Sequence, residues 1–509
     1  MSESPTQLAP SSTPGRAQLD KSLFHGIAWT GGVKWAGQLL SWASTLIVAR
    51  LLSPNDYGLV SMASAYLGLI TIFSEFGIGI AVITIRDLTE AQLDQLHTLS
   101  VILGFVGFAI SVAVAYPVSW FFRSTQLPAV IIAMSLTFVI AAFRSVPSSL
   151  LQRDMQFKAL SLIDGGRAVV LSVVMVALAL AGFSYWTLVC GALVSAAVST
   201  VLTLSVRRCG FRWPRLAQLK QAITISWHML VNRLSWYAFS NADFVVAGRV
   251  LGQAALGVYT VGWTVASTPV LYITSLVGSV TTAFFSTVQN DYAALRRYLL
   301  NLTEGLALLT FPLSIGLALV VNDFVLLVLG TKWQAAVPSL RLLALYASVR
   351  SITPLLSHVL TVTGDTRFGM KVSVVSVIAY PVAFYLGSHW GIVGIAVAWM
   401  VVDPLLNSPV YYRVFAKLHL SMWDYLETLR PAILASLTMS VSVLLIQHVL
   451  VSSWPLAARF ALQVSGGAAG YIGFLALFHR QRLFAFVGRL KEARSARHAE
   501  PTTQPAGAE

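Results

Sequence analysis

GGVKWAGQLLSWASTLIVARLL, residues 31–52, is apolar over the length of a helix yet holds a lysine, Lys34, well inside it. About 20 apolar residues, rising 1.5 Å each, cross a hydrocarbon core, while a full charge at the centre of such a helix costs roughly 2.5–3.5 kcal/mol. Both facts hold together only if the helix spans a membrane and turns Lys34 away from lipid. The polar residues agree, because Thr30, Lys34, Gln38, Ser41 and Thr45 recur at helical spacing and form one stripe.

The rest of the chain has the same character. Of its 509 residues, 56% are hydrophobic and only 11% charged, and the mean hydropathy is +0.74, far from a soluble protein's balance. Apolar runs of spanning length recur fourteen times, near 27–49, 58–83, 97–116, 128–151, 159–180, 184–206, 222–247, 256–285, 299–321, 338–361, 371–387, 391–412, 431–451 and 456–478. The expected class is an all-α polytopic membrane protein. The polar first twenty residues lack the charged start and apolar core of a signal peptide, so the first span is expected to stay in the mature protein.

Basic residues orient the chain. Of 34 Lys and Arg, with Lys371 at the very edge of its span counted in the adjoining loop, 23 fall in the tails and every second loop, four (Arg50, Arg123, Arg249 and Lys332) in the opposite loops, and seven inside spans. Both termini are therefore expected in the cytoplasm. The net charge of +14 follows from this topology and from contact with anionic membrane lipids, and no aromatic-basic motif points to nucleic acid. No phosphate-binding loop, metal-ligand spacing or paired-cysteine motif is found, so neither cofactor nor metal is expected beyond a possible coupling proton or sodium ion. Cys190 and Cys209 stand too far apart in the reading to pair.

An internal repeat begins at the lysine. Shifting by 199 lays VKWAGQLLSWASTLIVARLLSPNDYGLV, from residue 33, over NRLSWYAFSNADFVVAGRVLGQAALGVY, from residue 232, placing Lys34 on Arg233, Arg50 on Arg249 and Gly58 on Gly257. A shift of 206 lays FRSVPSSLL over VRSITPLLS and Arg144 on Arg350. Spans 1–6 and 7–12 are thus two copies of one six-helix unit, with 13 and 14 added, and such plans place a central site between lobes. The expected divisions are a tail at 1–22, lobes at 23–206 and 222–418 joined by a linker at 207–221, two helices within 419–480, and a basic tail at 481–509.

Charges inside spans name the candidate residues. Lys34, Arg233, Arg144 and Arg350 have no acid one turn away in their own spans and suit an anion in a cavity. Asp164 and Arg167 are expected to pair at i, i+3, and Arg341 and Arg459 to snorkel from span ends. Glu75, Asp243, Glu304 and Asp403 are either coupling acids or partners of these cations. Glu75 ends a stripe of Ser64, Gly68, Thr71 and Glu75, and its repeat counterpart is Thr274, so the acid is confined to one copy. Pro269, Pro312, Pro354, Pro381 and Pro404 are possible bending points.

Six ordered segments carry a family resemblance: VARLLSPNDYGLVSMASAYLGLITIFSEFGIG, IRDLTEAQLDQLHTLSVILGF, SVPSSLLQRDMQFKAL, GFSYWTLVCGALV, NADFVVAGRVLGQAALGVYTVGWTVASTP and LGTKWQAAVPSLRLLAL. Over residues 23–480 the chain resembles the Wzx-type polysaccharide flippases of the multidrug/oligosaccharidyl-lipid/polysaccharide exporter superfamily, especially the WzxC-like branch. The resemblance implies fourteen helices in two six-helix lobes around a V-shaped cavity. It also implies movement of undecaprenyl-pyrophosphate-linked oligosaccharide across the bacterial inner membrane, with a polysaccharide polymerase or export complex as a possible partner. Asp243 matches the acid of the family's D-x-x-x-x-G stretch. An ion-coupled small-molecule antiporter of the same superfamily, or a membrane enzyme acting on lipid-linked sugars, remains an alternative. The basic cavity positions disfavour a cationic drug, and the short loops disfavour an enzyme.

Overall fold

The computed structural model describes residues 37–478 apart from 76, 86, 216–218, 289–290 and 450–453, and Lys34 and both tails lie outside these. The described residues form helices and connecting loops without strands. The first repeat holds α1 (37–51), α2 (Pro54–Glu75), α3 (Ile78–Thr84), α4 (Glu90–Phe122), α5 (Leu127–Arg153), α6 (Phe157–Leu180) and α7 (Trp186–Val206). The second holds α8 (Lys220–Ser240), α9 (Ala242–Val246), α10 (Gln253–Thr287), α11 (Tyr292–Phe324), α12 (Val337–Val362), α13 (Thr366–Ser388) and α14 (Gly391–Lys417). Helices α15 (Met422–Val449) and α16 (Leu456–Phe478) follow.

Each of the fourteen expected spans meets a helix. Twelve are long and apolar enough to cross a membrane. The others are α1, whose beginning lies outside the described residues, and α8, whose KQAITISWHMLVNRLSWYAFS mixes charged and polar residues with apolar ones. The second span is split: α2 ends at Glu75, Gly77 takes a left-handed backbone (φ 63°), and α3 begins at Ile78. The seventh is split likewise into α8, α9 and a π-helical turn at Ala247–Leu251. The prolines expected to bend spans lie inside continuous helices: Pro269 in α10, Pro312 in α11, Pro354 in α12, Pro381 in α13 and Pro404 in α14.

The repeat is visible in packing. In the first copy α5 packs on α2, α4, α6 and α7, α2 also meets α4, and α6 meets α7; in the second, α12 packs on α10, α11, α13 and α14, with α10 on α11 and α13 on α14. The copies meet chiefly through α2 against α10, inside one continuous core that includes Leu59, Met62, Leu256 and Tyr259. Helices α15 and α16 pack on each other and on α11. The outer surface is apolar, with Trp120, Val173, Ile378 and Leu444 all exposed. A bilayer, not water, satisfies such a surface.

Candidate functional site

A basic cavity lies where the two copies face each other at one end of α2. Its volume is about 260 Å3, and α2, α3, α4, α5 and α8 build its walls. Three charged side chains line it: Arg144 from α5, Arg233 from α8 and Glu75 from α2. Ser100, Ser145, Ser148, Ser149 and Gln152 supply hydroxyl and amide groups around them. The turn at Gly77 makes this possible by sending α3 against α5 and α8.

The polar stripe of α2 finds its partner here. Tyr237 donates its hydroxyl to the carbonyls of Ala65 (3.0 Å) and Ser64 (3.2 Å), and its ring lies against Gly68. One turn before Tyr237, Arg233 Nη1 donates to Glu75 Oε2 at 3.3 Å. The stripe read on span 2 and the face of α8 that carries Arg233 and Tyr237 form one contact. Arg144 forms no ion pair among the described residues and stands within electrostatic range of Glu75 and of Asp164 and Arg167 on α6.

The remaining expected site residues lie elsewhere. Arg350, the repeat counterpart of Arg144, is not in the cavity. Its guanidinium carbon is 5.0 Å from the ring centre of Trp263 and 5.7 Å from that of Trp399, and its Nη1 is buried without a hydrogen-bond partner among the described residues. Asp243 and Asp403 belong to the same aromatic cluster. Tyr259 donates to Asp243 Oδ2 at 2.7 Å and Trp399 at 3.0 Å; Tyr380, whose ring is 4.9 Å from that of Trp399, donates to Asp403. Of the four cations grouped as one anion site, the structure therefore brings Arg144 and Arg233 together and separates Arg350, while Lys34 lies outside the described residues. The four acids divide as well: Glu75 in the basic cavity, Asp243 and Asp403 in the aromatic cluster, and Glu304 half-buried on α11 and not among the residues that line the basic cavity.

Two expected local arrangements are corrected. Asp164 and Arg167 do not pair within 4 Å; Arg167 instead reaches across to Ser195 on α7 at 3.5 Å, since spacing along one helix does not fix which way a long side chain turns. Arg459 does not snorkel: it forms a two-point ion pair with the buried Asp323, to which Gln463 also donates. Arg341 is exposed near the start of α12, with its Nε donating to the Ala318 carbonyl at 3.2 Å.

At the other end of α2 the copies seal against each other reciprocally. A Cβ on Gly58 would sit 1.8 Å from the Gln253 carbonyl oxygen, and one on Gly257 would sit 1.8 Å from the Pro54 carbonyl oxygen. Residues 54 and 58 are the repeat counterparts of 253 and 257, so one contact is made twice. The loop arginines cross in the same way: Arg50 donates to the Leu327 carbonyl, and Arg249 lies 5.5 Å from the Phe121 ring centre. Trp333 adds a bond to the Ala49 carbonyl at 2.8 Å. The repeat had shown these residues as matched; that they touch required the fold.

The family described as "Polysaccharide biosynthesis protein" matches residues 47–338, more than half of the chain. The chain belongs to that family. The lipopolysaccharide biosynthesis protein WzxC of Escherichia coli (strain K12) is 24% identical over 408 residues, covering 76% of this chain and 80% of WzxC. The teichuronic acid biosynthesis protein TuaB of Bacillus subtilis (strain 168) is 25% identical over 480 residues, covering 90% and 96%. Among solved structures, the lipid II flippase MurJ in an inward closed conformation superposes with a TM-score of 0.72 at 12% identity, covering 90% of this chain and 100% of MurJ. The resemblance to the WzxC-like branch and the two-lobed fold read from the sequence are borne out.

Proposed function

We propose that this protein moves lipid-linked oligosaccharide, carried on polyprenyl pyrophosphate, between the leaflets of the bacterial inner membrane by alternating access. The observation that carries this reading is the basic, hydroxyl-lined cavity formed by Arg144 and Arg233 opposite a reciprocal seal between the same two lobes. A pyrophosphate cannot enter hydrocarbon, so its carrier offers a wet path with fixed cations, while the polyprenyl tail stays in lipid. Serine hydroxyls suit sugar. Exchange between leaflets then needs only that one end close before the other opens, and no nucleophile. By the basic-residue rule the sealed end, where Arg50 and Arg249 lie, faces the periplasm and the cavity faces the cytoplasm.

The relatives' names, lipopolysaccharide and teichuronic acid biosynthesis, support a polysaccharide precursor as cargo. Coupling to a proton or sodium gradient, with Asp243 and Asp403 as the candidate acids, belongs to the same proposal. Deleting the gene and identifying the lipid-linked sugar that accumulates tests the reading: an oligosaccharide on polyprenyl pyrophosphate, held on the cytoplasmic leaflet, is expected. Normal surface polysaccharide with no such accumulation would contradict it.

A further inference from the structure

An acid is out of place in a cavity built to attract an anion, yet Glu75 stands between the two arginines' helices. It has no counterpart in the second repeat, where position 274 is threonine. Its partner, Arg233, belongs to the other copy, so the pair ties α2 of one lobe to α8 of the other. The tie is weak. Glu75 and Arg233 side chains are 54% and 49% exposed and meet through one contact of 3.3 Å, whereas exposed pairs of this kind change an equilibrium by about fivefold at most. A diphosphate brings more charge and more acceptor oxygens to the same guanidinium than one carboxylate does.

We propose that Glu75 is a displaceable counter-ion of Arg233: in the empty cavity it neutralises Arg233 and holds the lobes together, and an entering pyrophosphate takes the arginine from it. Loading then removes the ion pair between α2 and α8, leaving the Tyr237 bonds there, and favours rearrangement of the lobes, so that movement is tied to cargo. After rearrangement Glu75 competes for Arg233 again and helps release the phosphate. The inference rests on the pyrophosphate cargo proposed above.

The test measures binding of undecaprenyl pyrophosphate to the purified full chain in lipid nanodiscs, for the wild type, Glu75→Gln, Arg233→Gln and the double variant. Removing the competitor is expected to lower Kd about two- to fivefold in Glu75→Gln while slowing transport, and to change nothing once Arg233 is Gln. Glu75→Asp, whose shorter side chain cannot hold the contact but keeps the charge, gives a partial tightening and serves if Glu75→Gln does not insert. Unchanged or weaker binding by Glu75→Gln overturns the counter-ion role alone. So does tightening that persists without Arg233, which would be plain repulsion by the carboxylate. A wild-type protein that fails to bind undecaprenyl pyrophosphate overturns the cargo itself.

Discussion

At the scale of single residues, charge decides which side chains are structural and which serve a ligand. Arg459 is structural. Its partner Asp323 is only 7% exposed, so Asp323→Ala leaves a cation and Gln463 without their acceptor and is expected to cost about 3 kcal/mol; a lower thermal midpoint of the purified protein checks it. Lys34 and Arg233 are proposed as the opposite case. Neutralising either is expected to halt export at normal protein abundance, Lys34→Arg to retain much of it, and Lys34→Glu to abolish it by repelling the cargo; loss of the protein from the membrane would instead mark a structural pair. In the linker, burial first and then the Asp94 carboxylate push the Cys209 thiol up to about 11, against a smaller pull from Arg207, with Glu90 adding the least. Only the thiolate reacts with alkylating reagents. In a Cys190→Ser background, labelling of Cys209 is therefore slow at pH 8 and climbs about tenfold per pH unit toward pH 11, with Asp94→Asn moving the curve down. At this scale the sequence marked Glu75, Arg144 and Arg233 as exceptional because apolar surroundings make charge conspicuous. It could not show that Arg144 and Arg350, matched by the repeat, sit in different surroundings: the difference lies in Trp263 and Trp399, which other helices bring to Arg350.

At the scale of helices, two features are decided by glycine. Gly77 separates α2 from α3 and opens the cavity, while Gly58 and Gly257 let α2 and α10 touch backbone to backbone at the seal. Gly257→Ala places a Cβ where the Pro54 carbonyl oxygen already stands, so the seal has to open. A cysteine at Ser61, buried just inside the seal, is expected to gain reactivity toward a membrane-impermeant thiol reagent in that variant, and Gly58→Ala is expected to act alike. Unchanged protection would remove the seal from the account. Helix positions were legible because spanning length and apolar composition coincide. The contact between the stripe of α2 and α8 was not, since a polar stripe announces a partner without naming it.

At the scale of the whole molecule, the two copies share a packing plan but divide the work: the first copy and α8 carry the basic cavity, and the second carries the aromatic acid cluster. Sequence matches at offsets of 199 and 206 residues exposed the shared plan; the division came from substitutions that break it, such as glutamate at 75 against threonine at 274. The orientation assigned from basic residues predicts that reporters fused after Arg50, Arg123, Arg249 and Lys332 read periplasmic and those after Arg212, Arg296 and Arg489 cytoplasmic. The central claim is carriage of a lipid-linked diphosphate sugar through the Arg144 and Arg233 cavity. Its direct test is the purified protein in liposomes loaded with undecaprenyl-pyrophosphate-linked oligosaccharide, with transfer read by an impermeant sugar-modifying reagent. The wild type is expected to expose the inner-leaflet sugar, and an equally inserted Arg144→Gln, Arg233→Gln variant to leave it protected. Transfer by the variant at the wild-type rate, or none by the wild type, would contradict the account.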